Sequence, residues 1–174
     1  MKMIWILGTL VVLISAVILI FIYSGKYNVS AMQRHFKVTQ WLISTTMDKS
    51  IQQHAKDIKV PDLTGASMLR IGFIHYRQMC VDCHGAPGIQ PSELSKGLNP
   101  AAPLLYKDVN KWTPAELFWI TKHGIRMTGM PAWGVTHSDQ KIWAIIAFLK
   151  KLQTISPEEY KKMDQSLRNN NNNN

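Results

Sequence analysis

Two thiols stand two residues apart at Cys80-Val81-Asp82-Cys83-His84, an imidazole follows at once, and the chain holds no other cysteine. Thiols at this spacing have three chemical uses. They can add to the two vinyl groups of one porphyrin, and the tether then leaves the next residue's imidazole under the iron as an axial ligand. They can form half of a zinc site, but structural zinc takes four protein ligands, and no second cysteine pair or paired-histidine cluster follows. They can cycle as a dithiol, which needs a βαβ context, and no strand-rich segment precedes them. Attachment of one covalent haem c through Cys80 and Cys83, with His84 on the iron, is the reading that uses all three residues.

The elements that must position this motif begin with an anchor. Residues 3–23 (MIWILGTLVVLISAVILIFIY) form an uncharged apolar run. At 1.5 Å per residue such a run reaches about 31 Å, enough to cross a bilayer core. A cleaved secretory signal has a shorter apolar core and a small-x-small cleavage site, whereas Tyr23-Ser24-Gly25-Lys26 follows here. Residues 1–27 therefore read as an uncleaved transmembrane signal anchor, with Trp5, Tyr23 and Tyr27 near its ends, where amphipathic rings favour the interface.

The composition, 18% charged and 46% hydrophobic over 174 residues, is that of one globular domain plus termini. Lys and Arg outnumber Asp and Glu by 20 to 11, but the excess is spread along the chain. No basic block interleaved with aromatics occurs, so nucleic acid is not the expected partner. The excess is either a solvated face or a means of steering towards an acidic partner or anionic head groups.

Residues 28–59 read as an amphipathic helical connector. Ser30 is a candidate cap for a helix to about Lys56, with Met32, Phe36, Ile43, Met47, Ile51 and Ala55 as its apolar stripe. The head domain, the membrane surface or another subunit are the candidates to cover that stripe. His35 and His54 read as surface or packing residues. Val60-Pro61 stops the connector, and Thr64 or Ser67 is expected to cap a helix through about Cys80 in which Leu69, Phe73 and Tyr76 share one face. A Pro-rich stretch over 85–112 reads as a wrapping loop. Thr113-Pro114-Ala115-Glu116 has the spacing of a capping box with proline at the first helical position, and Gly124 ends that helix after His123. Ser138 caps the last strong helix, whose stripe is Ile142, Trp143, Ile145, Ile146, Leu149 and Leu152. Ser156-Pro157-Glu158-Glu159 starts a short terminal helix within the tail 157–174. That tail ends in six asparagines, which build no core and are set aside.

Residues 60–155 resemble a monohaem class I c-type cytochrome domain, of the kind also found in the cytochrome subunits of membrane oxidases. The features that carry the resemblance come in order: a helix ending in Cys80-Val81-Asp82-Cys83-His84-Gly85, a Pro-rich loop, a middle helix, Met130-Pro131-Ala132-Trp133, and a C-terminal amphipathic helix. The resemblance implies an all-α fold: an N-terminal transmembrane helix and, over 60–156, a cytochrome c-like helical domain around one covalent haem. It implies that Met130 is the distal iron ligand opposite His84, with Met127 as rival and His123 as a bis-histidine alternative. It implies that the first and last helices cross at a Gly/aromatic contact, for which Gly72, Tyr76 and Trp143 are the candidates. Pro103, with Pro100 as rival, matches the proline region that accepts a hydrogen bond from the proximal imidazole. Trp112, Trp119 and Trp133 are expected to pack around the porphyrin.

A thioether trans to imidazole raises the reduction potential relative to a harder ligand. With both axial positions filled, the resemblance implies single-electron transfer rather than an enzyme with a small-molecule substrate. Redox proteins, in particular a membrane oxidoreductase complex, are the implied partners. The domain is either a subunit docked on that complex or a free tethered shuttle; a haem sensor or peroxidase-like protein is the other class. Haem attachment outside the bacterial cytoplasmic membrane implies a single-pass protein with its domain on the periplasmic side, although Lys26, Arg34 and Lys37 after the anchor lean against that orientation. Lys96, Lys107, Lys111, Lys122 and Arg126 are candidates for a basic docking rim.

Overall fold

The computed structural model describes residues 2–172; Asn173 and Asn174, at the end of the asparagine run, lie outside it. Every regular element among the described residues is helical. Contacts divide the chain into two units, Met1–Arg34 and His35–Asn174.

The first unit is built on α1 (Lys2–Tyr23), a helix of 22 residues with no acidic first turn and none of its side chains buried. Among the described residues it is the one helix long and apolar enough to cross a membrane, a test that a signal sequence also passes.

The second unit holds α2 (Lys37–Ala55), α3 (Ala66–Met79), α4 (Val81–His84), α5 (Glu93–Lys96), α6 (Leu105–Asp108), α7 (Pro114–His123), α8 (Asp139–Leu152) and α9 (Pro157–Asn172). Its core forms where α3 crosses α8. A Cβ at Gly72 would stand 1.9 Å from the Ala144 carbonyl oxygen and 2.8 Å from Phe148 Cβ, so only glycine lets the two backbones meet there. Phe148 then packs its ring 5.3 Å from Phe73 and 5.5 Å from Tyr76. The aromatic partner at this crossing is therefore Phe148. Trp143, the residue expected there, points to α7 instead and stacks on Phe118 at 4.2 Å. The rest of the expected α8 stripe, Ile142, Ile145, Ile146, Leu149 and Leu152, is buried.

Helix ends follow local chemistry where a side chain can reach. Thr113 and Glu116 form the full reciprocal capping box, and Gly124 closes α7 at φ 65°. Ser138 caps α8 by accepting from the Lys141 amide. Two expected starts differ. Neither Thr64 nor Ser67 caps α3: Gly65 holds the cap position, and the Thr64 hydroxyl donates to Asp62 Oδ1 at 2.7 Å. Ser30 does not start α2, which begins seven residues later at Lys37; the Ser30 hydroxyl accepts the Met32 amide in a local turn. Met32 and Phe36 thus precede the helix, and the covered stripe of α2 shrinks to its second half, where Ile51 and Ala55 are buried and α7 is the neighbour. His54 stacks on Trp119 of α7 at 5.3 Å.

The stretch 85–112 contains the short helices α5 and α6 and a 3-10 turn, Val109–Lys111, rather than loop alone. The terminal helix α9 is longer than expected and belongs to the core. Tyr160 is fully buried with its ring edge on Phe73 at 5.4 Å, and Asp164 pairs with Arg77 of α3 and with Arg168.

Candidate haem-binding site

The Cys80–His84 segment is a single helical turn attached to the end of α3. The Cys80 amide donates to the Tyr76 carbonyl at 2.9 Å, and the His84 amide donates to the Cys80 carbonyl at 2.8 Å. Three further bonds hold this turn from outside. The buried Tyr76 hydroxyl donates to the Gly85 carbonyl at 2.6 Å. The Ser95 hydroxyl donates to the Cys83 carbonyl, and the Ser92 amide donates to the Asp82 carbonyl, both at 2.8 Å. Gly85 itself takes φ 65°, and a Cβ there would stand 2.8 Å from the Ile89 carbonyl oxygen. The turn after His84 is thus closed by a glycine that no larger residue replaces without strain.

His84 is buried, and its Nδ1 lies 2.8 Å from the Pro103 carbonyl oxygen. A carbonyl only accepts, so Nδ1 carries the proton and donates, and the lone pair of the ring is left at Nε2. The bond goes to Pro103 and not to its rival Pro100. Burial lowers the His84 pKa from its ordinary 6.5, with the Pro103 bond opposing. A neutral imidazole with a free Nε2 is the form that ligates a metal. Cys80 and Cys83 are both free thiols, the first buried and the second half-buried. Burial, with a further contribution from Cys83, pushes the Cys80 thiol up to about 12. An open groove of about 400 Å³ lined by Gln90, Pro91, Ser95, Lys96 and Leu104 adjoins the turn.

Met130 lies on a second loop, built against the end of α7. Its amide donates to Thr128 Oγ1 at 3.1 Å, and its carbonyl accepts from the Ile125 amide at 3.2 Å. Gly124 lets this loop approach: a Cβ there would stand 2.8 Å from the Met130 carbonyl oxygen and 2.7 Å from the Pro131 carbonyl carbon. Met130 is half-buried, whereas Met127 is 70% exposed and adopts φ 61°. Trp133 is half-buried with its ring against His137 at 5.4 Å, and Trp112 packs on the core under Lys111 Nζ at 4.7 Å. Trp119 lies between His54 and His123, which accounts for both histidines as packing groups. Of the five candidate rim cations, Lys96 pairs with Glu93, Lys111 with Asp48 and Lys122 with Asp139.

Residues 67–149 match the family model of cytochrome c oxidase, cbb3-type, subunit III. The match is consistent with a class I c-type cytochrome domain over this segment. No curated protein matches the chain. The match to the cytochrome domain leaves out α1, α2 and α9. A cytochrome c domain implies haem c, electron transfer and redox partners. The residues present fit that cofactor: two free thiols on one helical turn, and beside them an imidazole whose other nitrogen is already held by a carbonyl. The same thiols lack companions for a zinc site, since no three His, Cys, Asp or Glu side chains among the described residues are grouped to hold a metal ion. Tyr76 was legible as a core-facing residue, but its bond to Gly85 was not, and Ser95 carried no signal in the sequence.

Proposed function

We propose that this chain is a membrane-anchored electron carrier with one haem c, tethered by thioethers to Cys80 and Cys83 and ligated by His84 and Met130. When bound, the haem supplies an iron that gains and loses one electron at a time. The observation that carries the reading is the 2.8 Å bond from His84 Nδ1 to the Pro103 carbonyl inside the Cys-x-x-Cys-His turn. It fixes the ring tautomer and orientation and raises the basicity of the ligating nitrogen. Met130 is favoured over Met127 because its backbone is held at both N–H and C=O and its side chain is part-covered. Trp112 and Trp133, each half-buried on one of the two loops, would pack against the porphyrin. With His84 and Met130 both holding the iron, the chain would pass electrons through the bound haem and leave no site for a small-molecule substrate.

Residues 1–27 are the anchor in a bacterial cytoplasmic membrane, 28–59 the connector and 60–156 the periplasmic haem domain, with α2 and α9 braced on it. The partner is a larger respiratory oxidoreductase, and the chain is a docked subunit of it. The packing of α2 on α7 supports this over a free shuttle, because it shortens the tether to the stretch between Tyr23 and Lys37.

The test is mass spectrometry of the purified chain with its haem. One haem on the peptide containing Cys80 and Cys83 is expected; an unmodified peptide overturns the covalent assignment. Purification in mild detergent separates the two roles. Co-purifying oxidoreductase subunits are expected, and a lone 20-kDa species contradicts the subunit reading.

A further inference from the structure

The N-terminal half of α2 carries an apolar face that its own domain does not cover. Val38, Trp41 and Leu42 fall on one side of the helix by their spacing of three and four. They are 74%, 64% and 57% exposed. The other side carries Met47, Ile51 and Ala55, which are part or fully buried next to α7. The two apolar stripes of α2 therefore point apart, and the domain accounts for only one.

Charge and position identify what covers the other. Lys37 borders the exposed face at its start, and Lys49 lies on the same side two turns after Leu42. Lys26 and Arg34 precede it, and no Asp or Glu occurs before Asp48. The one carboxylate of α2, Asp48, lies two turns after Trp41 and is paired with Lys111. A Trp and two aliphatic side chains edged by cations match the boundary of an anionic bilayer. There the indole sits at head-group level, the aliphatic side chains dip beneath it and the cations meet phosphates. The chain between Tyr23 and Lys37 spans at most about 50 Å when fully extended, so the face stays within reach of the membrane that α1 enters.

We infer that the Val38/Trp41/Leu42 face of α2 docks on the surface of an anionic phospholipid bilayer. Because α2 is packed on α7, this seat holds the haem domain against the membrane rather than letting it swing on a tether. The inference rests on α1 being the membrane anchor.

The test uses the full-length protein in nanodiscs of phosphatidylcholine and phosphatidylglycerol, the latter carrying a diazirine in its acyl chain. After photolysis, trypsin releases Met3–Lys26, which reports on α1, and Val38–Lys49, which reports on the face. Lipid adducts on both peptides are expected. The double variant Trp41→Ser/Leu42→Ser lowers the yield on Val38–Lys49 roughly fivefold, the factor carried by a ~1 kcal/mol loss, and leaves that on Met3–Lys26 unchanged. Labelling of Met3–Lys26 without Val38–Lys49, or an unchanged yield in the variant, overturns the docking face while leaving the anchor intact. Absence of label on Met3–Lys26 overturns the anchor and the docking face with it.

Discussion

Gly72→Ala sets two effects of opposite sign against each other. Alanine is the better helix former by about 1 kcal/mol, so propensity alone predicts a more stable α3. The crossing predicts the reverse. The added Cβ would lie 1.9 Å from the Ala144 oxygen, 2.6 Å from the Ala144 carbonyl carbon and 2.8 Å from Phe148 Cβ. The two closest obstacles are backbone, so no rotamer change removes the overlap. The helices must separate by roughly 1 Å or more, and overpacking of this kind costs about 1–3 kcal/mol, occasionally more. Separation also loosens Phe148 from Phe73 and Tyr76, whose ring centroids are 5.3 and 5.5 Å away. With the propensity gain subtracted from the upper part of that range, the net expectation is a loss of about 1–2 kcal/mol, or roughly 2–8 °C in Tm for a domain of this size. Helical circular dichroism during thermal unfolding of the haem-loaded, full-length protein measures it. A variant that melts at the wild-type temperature or above would refute the close crossing at Gly72.

Three further outcomes follow from single groups. Tyr76→Phe leaves the buried Gly85 carbonyl without its 2.6 Å donor and should cost about 1–3 kcal/mol in denaturant unfolding; a change under a few tenths would mean that the bond is dispensable. Tyr160→Ala removes a fully buried ring from the α3–α9 contact and should cost about 3 kcal/mol or more, as large aromatic truncations do, whereas an α9 that is mere tail would tolerate it. Burial, with His137 and Lys141 nearby, lowers the His75 pKa from its ordinary 6.5. The unfolded chain therefore takes up the proton first, and stability, level above about 6.5, falls as the pH drops below it. His75→Asn should flatten that slope below about pH 6.5 in a series of urea titrations, and an unchanged slope would assign it to other groups.

What the sequence made legible was chemistry acting over a few residues. The Thr113/Glu116 box, the Ser138 cap and the Gly124 stop each need only their own turn of chain, and each formed as expected. The Cys80–His84 motif is local in the same way, since two thiols and an imidazole within five residues make up the pattern that points to haem attachment. What required a neighbour was harder to read. The spacing of Met32 and Phe36 continued the stripe of α2, but a stripe makes a helix only where something covers it, and coverage begins with the second half at α7. Pro100 and Pro103 are equivalent in composition, and the path of the intervening loop alone brings the Pro103 carbonyl to His84. Trp143 and Phe148 both lie on α8, and the position where Gly72 meets that helix selects Phe148. The lysines chosen as a docking rim by position included three whose partners, Asp48, Glu93 and Asp139, neutralise them at close range. Such pairs on an exposed surface contribute about 0–1 kcal/mol to stability, yet they remove much of the local excess charge that steering requires.

The central claim is that His84 and Met130 close both axial positions of one covalent haem. The absorption spectrum of the ferrous full-length protein, recorded before and after addition of carbon monoxide, tests it most directly. The account predicts a low-spin c-type spectrum that carbon monoxide leaves unchanged, with Met130→Ala alone becoming high-spin and binding the gas. A wild-type protein that is high-spin when reduced and forms a carbon monoxide adduct would contradict it.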